Sequence, residues 1–215
     1  MRLDPAAPPE SSLIPMPVLR SICVYCGSGH GSDPAFAQAA DALGRVMGEA
    51  GVSLVYGGGN VGLMGTVARG VLAAGGHVTG IIPDFLKQRE RMLDEAQETI
   101  VVPDMHTRKQ MMFERADAFV AMPGGIGTLE ELVEQMTWAQ LGRHEKPILL
   151  LSTNGFWRPL LNLLAHMLEQ GFIRPGLELN YLVAERVEEV VPMLRKAAGR
   201  AQGRPDAGEV IERRF

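Results

Sequence analysis

Cysteine is scarce in this chain: only Cys23 and Cys26 occur. A C-x-x-C pair can be a redox motif or half of a zinc site. No second pair completes a metal site, and on a strand positions three apart face opposite sides of the sheet. The spacing predicts two quiet thiols at a strand end and nothing that requires an oxidising compartment. Aromatic residues make up 6% of the chain and the formal net charge is −4. Neither a basic surface nor a stacking platform is available, which argues against nucleic acid as the main partner. No apolar run approaches the ~20 residues of a membrane span. The stretch Met1–Pro17 lacks the basic start and apolar centre of a secretion signal. A cytoplasmic chain without a membrane partner is expected. The histidines His30, His77, His106, His144 and His166 show no metal-ligand spacing, so no metal is expected, and no cofactor. There is no G-x-x-x-x-G-K-[ST] run and no spacing that argues a Ser-His-Asp set. The 12 methionines read as core filler.

What the chain does have is glycine, 25 of 215 residues, much of it placed between apolar runs and amphipathic ones. One domain is expected at this length. A Pro-, Ala- and Ser-rich leader would cover 1–18, a nucleotide-binding domain 19–198, and a flexible tail 199–215. Strand-like runs are Leu19–Tyr25, Val52–Tyr56, His77–Ile82, Ile100–Val102, Ala118–Met122, Pro147–Leu151 and Tyr181–Val183. Helix-like runs are Pro34–Ala50, Gly62–Ala74, Met105–Ala116, Thr128–Leu141, Gly155–Gln170 and Arg186–Ala197. Asp33 with Pro34 signals a helix start, and Phe36, Ala40, Leu43 and Met47 give that helix an apolar face. The charged stretch Asp84–Thr99 reads as a mobile loop with some helix. Short buried strands alternating with helices predict an α/β fold: a doubly wound, Rossmann-like parallel sheet with helices on both faces. Ligands in such sheets bind beyond the carboxyl ends of the strands.

Three glycine loops fall at that edge. Pro123-Gly124-Gly125-Ile126-Gly127-Thr128-Leu129-Glu130-Glu131 follows a strand and opens a helix. Its glycines let backbone N–H groups approach a ligand, and the helix start favours an anion. Glu131 then stands one turn in, where its carboxylate can face what the loop holds. Acids in a first turn also simply complement the dipole, so Glu130 and Glu131 have a plain reading too. The apolar stripe of this helix reads as Leu129, Leu132, Val133 and Met136. Gly57-x-Gly59-x-x-Gly62 formally matches a dinucleotide fingerprint, but it follows the second strand instead of the first. A phosphate- or ribose-facing loop, or tight helix–sheet packing, is the plainer reading. The helix at Met105 brings Arg108 and Lys109 to the same edge as cations for a phosphorylated ligand.

The run from Pro123 to Glu131, with Met105-His106-x-Arg108-Lys109, resembles the LONELY GUY family of cytokinin riboside 5′-monophosphate phosphoribohydrolases, often mislabelled lysine decarboxylases. Cys26-Gly27-Ser28, Tyr56-Gly57-Gly58-Gly59, Gly62-Leu63-Met64-Gly65 and Thr137-Trp138-x-Gln140-Leu141-Gly142 add to the likeness, which covers about residues 20–195. The resemblance implies hydrolysis of the N-glycosidic bond of a cytokinin riboside 5′-monophosphate or AMP, releasing free base and ribose 5-phosphate. Carried over, Arg108 and Glu131 become the catalytic pair. Ser28, Gly58, Gly59, Glu90, Lys109, Gly124, Gly125, Ile126, Gly127, Thr128, Leu129, Glu130 and Thr137 become substrate contacts. Ile126 stands where plant members often carry Tyr, which leaves the base preference open. The resemblance also implies a homodimer. A non-catalytic nucleotide or molybdenum-cofactor carrier on the same fold is the competing expectation. Lysine decarboxylation would need a pyridoxal-phosphate lysine, and no sequence feature singles one out.

Overall fold

The computed structural model describes residues 19–87, 92–174, 177 and 179–202. Seven strands form one sheet: β1 (Ser21–Tyr25), β2 (Ser53–Tyr56), β3 (Val78–Pro83), β4 (Glu98–Val102), β5 (Ala118–Ala121), β6 (Ile148–Leu151) and β7 (Leu182–Ala184). Their order is β4-β3-β2-β1-β5-β6-β7, and every pairing is parallel. Six α-helices accompany them among the described residues: α1 (Pro34–Glu49), α2 (Gly62–Ala73), α3 (Met105–Arg115), α4 (Ile126–Gln140), α5 (Arg158–Glu169) and α6 (Val190–Gln202). This is the doubly wound parallel architecture that the alternation of runs predicts.

The sheet is buried on both sides, which is why its central strands read as unbroken apolar runs. On one face, Ile22, Val24 and Cys26 join Leu43 and Met47 of α1, Val67 of α2 and Leu194 of α6. On the other face, Cys23, Tyr25 and Phe119 join Met112 of α3, Leu132 and Met136 of α4, and Trp157. Cys23 and Cys26 thus lie on opposite faces as free, buried thiols, and burial raises both above the ordinary thiol range. Helices α1 and α2 pack backbone to backbone. A Cβ on Gly44 would overlap the Val67 carbonyl oxygen and lie 2.8 Å from the Val71 nitrogen.

Several expected boundaries move. Strand β4 begins at Glu98, because Glu98 and Thr99 pair with Thr79 and Gly80 despite their polarity. The Glu98 carboxylate is matched by Arg115 at 2.8 Å and by the Thr79 hydroxyl at 3.2 Å. Residues Asp84–Leu86 form a 3-10 turn. Helix α5 starts at Arg158, after a separate 3-10 turn at Thr153–Gly155 in which Asn154 holds φ 53°. The last helix begins at Val190 behind another 3-10 turn, Val187–Glu189, and continues through Gln202, past the expected end at Ala197. The leader before residue 19 and the chain from 203 onward lie outside the described residues.

Candidate active site at the sheet reversal

Strand order reverses between β1 and β5, and the loops leaving their carboxyl ends flank the crevice where such sheets take ligands. The two loops are tied together. Gly27 N donates to the Pro123 carbonyl at 3.1 Å, and Leu63 N at the start of α2 donates to the Gly27 carbonyl at 3.0 Å. Gly124 packs so closely on the Thr128 hydroxyl that a Cβ there would overlap it.

Helix α4 begins two residues before the expected Thr128. Gly125 is its N-cap, and Ile126 and Gly127 already belong to the first turn. No side chain caps this start, which leaves its first amides without a side-chain partner, the arrangement that suits an anion. A Cβ on Gly125 or on Gly127 would meet nothing within 4 Å. Ile126 is 83% exposed beside them. Because the helix starts early, Glu130 and Glu131 lie beyond its first turn, and dipole complementarity does not account for them. The inward face of α4 is Thr128, Glu131, Leu132, Gln135 and Met136. Val133, expected in the apolar stripe, is exposed, and Leu129 is half-buried against the core face that holds Phe119 and Met136. The helix turns a carboxylate inward where the pattern of apolar residues favoured a valine.

Glu131 is 9% exposed and Arg108, from the first turn of α3, is 5% exposed. Helix α3 is started by Asp104, whose carboxylate accepts from Thr107 N at 2.7 Å and is held below the usual carboxylate range by that bond. The Arg108 Nη2 stands 3.9 Å from Glu131 Oε1. That is an ion pair without a direct hydrogen bond. Arg108 Nη2 also donates to the Gly57 carbonyl at 3.4 Å, and its Nε has no partner among the described residues. The Glu131 charge reaches Cys23, Tyr25 and Cys26 and, with burial as the larger cause, raises all three.

Lys109 bonds both Glu130 and Glu134, the latter at 3.0 Å, and so braces α3 against α4. Burial alone would lower the Lys109 ammonium, but the two carboxylates outweigh it and raise it above the usual lysine value. Ser28 is exposed on the β1–α1 loop, while Gly58 and Gly59 are buried behind β2. Thr137 is exposed, about three turns into α4. It lies roughly 16 Å along α4 from Ile126, and its hydroxyl donates to the Val133 carbonyl at 2.7 Å. Glu90 lies outside the described residues. Two residues at the site were not singled out as contacts from the sequence. Gly57 is one, hidden because its contact with Arg108 spans 51 positions. Glu134 is the other, and its signal was present: it stands four positions after Glu130, on the same helix face.

Fold and site together define a Rossmann-type α/β protein in which an uncapped, glycine-led helix start faces a buried carboxylate–guanidinium pair. The family model described as "Possible lysine decarboxylase" matches residues 64–194. The cytokinin riboside 5′-monophosphate phosphoribohydrolase LOG7 of Arabidopsis thaliana is 45% identical over 177 residues, 82% of each chain. The LOG protein of the same description from Oryza sativa subsp. japonica is 45% identical over 177 residues, 82% of this chain and 73% of that one. The cytokinin riboside 5′-monophosphate phosphoribohydrolase of Rhodococcoides fascians is 40% identical over 196 residues, 91% of this chain and 99% of that one. The chain belongs to the LONELY GUY (LOG) family.

Among solved structures, the molybdenum cofactor binding protein of Rippkaea orientalis superposes with a TM-score of 0.62 at 24% identity, covering 82% of this chain and 96% of that one. The Moco carrier protein of Chlamydomonas reinhardtii does so with 0.63 at 20% identity, covering 84% and 98%. At those identities the likeness is one of fold.

Proposed function

We propose that this protein hydrolyses the N-glycosidic bond of cytokinin riboside 5′-monophosphates, AMP or both. The observation that carries the reading is the buried Arg108–Glu131 pair, 3.9 Å apart, beside the uncapped start of α4. The relatives' names point to the same reaction. The amides of Ile126, Gly127 and Thr128 with the α4 dipole hold the 5′-phosphate. As the bond from C1′ to the base nitrogen breaks, its electron pair leaves with the base and positive charge grows on the ribose. The Glu131 carboxylate stabilises that charge, by analogy with O-glycoside cleavage, and Arg108 orients Glu131 and the substrate. Water supplies hydroxyl to C1′ and a proton to the departing base, leaving free base and ribose 5-phosphate. Ser28, Gly58, Gly59, Glu90, Lys109, Glu130 and Thr137 are further substrate contacts under this reading.

Incubation with AMP and with N6-isopentenyl AMP, followed by chromatography, tests it. Free base is expected from at least one. Tight binding with no base from either would favour a carrier instead, a reading that rests on fold alone. We also propose a homodimer, supported by the exposed Leu163, Met167, Leu168 and Phe172 on and just after α5. A cytoplasmic location is proposed with it, in keeping with two free thiols. Light scattering of the purified chain checks the first, and fractionation of cells the second.

A further inference from the structure

The glycine run after β2 starts at Gly57, a residue that the reaction as derived above does not use. Its match to a dinucleotide fingerprint would require backbone open to a pyrophosphate. Around Gly58 and Gly62 the run is packed too closely for that. Gly57, Gly58 and Gly59 are all buried. A Cβ on Gly58 would stand 3.1 Å from Ile82 Cβ and 3.5 Å from Ile81 N, and one on Gly62 would overlap the Ser28 carbonyl. Gly125 and Gly127 differ sharply, with nothing within 4 Å of such a position. What lies against Gly57 is Arg108. A Cβ on Gly57 would overlap Arg108 Nη2 and stand 3.2 Å from both Arg108 Cζ and Met64 Sδ.

The bonds that hold this guanidinium are weak. They are the 3.4 Å bond to the Gly57 carbonyl, a 3.7 Å approach of Nη1 to Met105 Sδ, and Glu131 at 3.9 Å. Arg108 is 5% exposed, so it has little room to retreat. Packing fixes its place, and the missing side chain at position 57 is the packing feature nearest its charged end. We propose that Gly57 is a positioning residue for Arg108: it supplies the recess and the carbonyl that seat the guanidinium opposite Glu131. The inference rests on Arg108 and Glu131 being the reacting pair and adds the device that registers them.

A double-mutant cycle on the full chain tests it, using Gly57→Ala, Arg108→Ala and the two combined. Gly57→Ala should lower kcat for base release on the order of 100-fold, the scale of a small misplacement of a reacting group. KM should move far less. In thermal unfolding, Gly57→Ala should lower Tm when Arg108 is present and leave it unchanged or raised when Arg108→Ala has emptied the recess. If Gly57→Ala alone fails to fold, recovery of a folded protein in the double variant supports the seat. Equal loss of Tm with and without Arg108, failure of both variants to fold, or unchanged kcat in Gly57→Ala would each overturn it. If the wild-type chain releases base from no nucleotide, the reaction is wrong, and the unfolding cycle still decides the seat.

Discussion

Arg108 and Glu131 reach each other from different helices, and both give up most of their hydration to do so. An ion pair at that separation repays little of the cost of burying two charges, so it is weak evidence for stability and better evidence for chemistry. Glu131→Gln keeps the shape and removes the charge. Base release should fall about 100-fold or more, while Tm shifts by less than about 5 °C. A carboxylate kept for the fold would cost ~3–5 kcal/mol on breaking the pair, and melting curves would show the difference. Glu131 was legible in the sequence because the glycines that mark the site precede it directly. The seat of Arg108 was not, because it depends on a backbone 51 positions away.

At the scale of elements, the start of α4 does two jobs that compete. Gly125 has φ −89° and ψ −160°, which aspartate adopts freely, and its Cβ position is open. Gly125→Asp would give the helix a side-chain cap, worth a few tenths of a kcal/mol over glycine. It would also set a carboxylate on the amides meant for the phosphate. The expected result is Tm unchanged or slightly raised and KM for the nucleotide raised on the order of 10-fold, read from melting and steady-state kinetics on one preparation. Just past the far end of α4, His144 packs against Phe113 and Phe119. Burial lowers its pKa below the usual 6.5, and the nearby Lys146 and Arg143 add to that. A lowered imidazole contributes stability that is whole above 6.5 and is lost as pH falls through its folded value. Between pH 7.5 and 5.5 the wild type should lose more Tm than His144→Gln. The start of α1 was legible because Asp33 and Pro34 carry their own signal: the Asp33 carboxylate accepts from Ala35 N at 2.9 Å. The start of α4 was misplaced because glycine carries no helix signal. The first half of β4 was missed because Glu98 is satisfied by Arg115, on another element.

For the molecule as a whole, the parallel sheet and its order put the reversal between β1 and β5, and with it the site. Alternating apolar runs were enough to read the fold class. Backbone-close packing of α1 on α2 was not legible, since it depends on which glycines face each other. Gly44→Ala decides between two effects. Alanine gains roughly 1 kcal/mol of helix propensity, but its methyl overlaps the Val67 carbonyl, and overpacking costs typically 1–3 kcal/mol. Net destabilisation is expected, seen as a lower urea midpoint with an unchanged slope.

Only two residues separate Cys23 from Cys26, yet a whole sheet stands between their environments. Alkylation of Cys26 during brief native-state openings times the release of the α1, α2 and α6 layer, and alkylation of Cys23 times that of α3, α4 and α5. Matching rates would mean that the chain opens as one cooperative body. Faster capture at Cys23 would mean that the layer bearing Arg108 and Glu131 breathes on its own, so the same two sulfurs that do no chemistry become clocks for the half of the molecule that does.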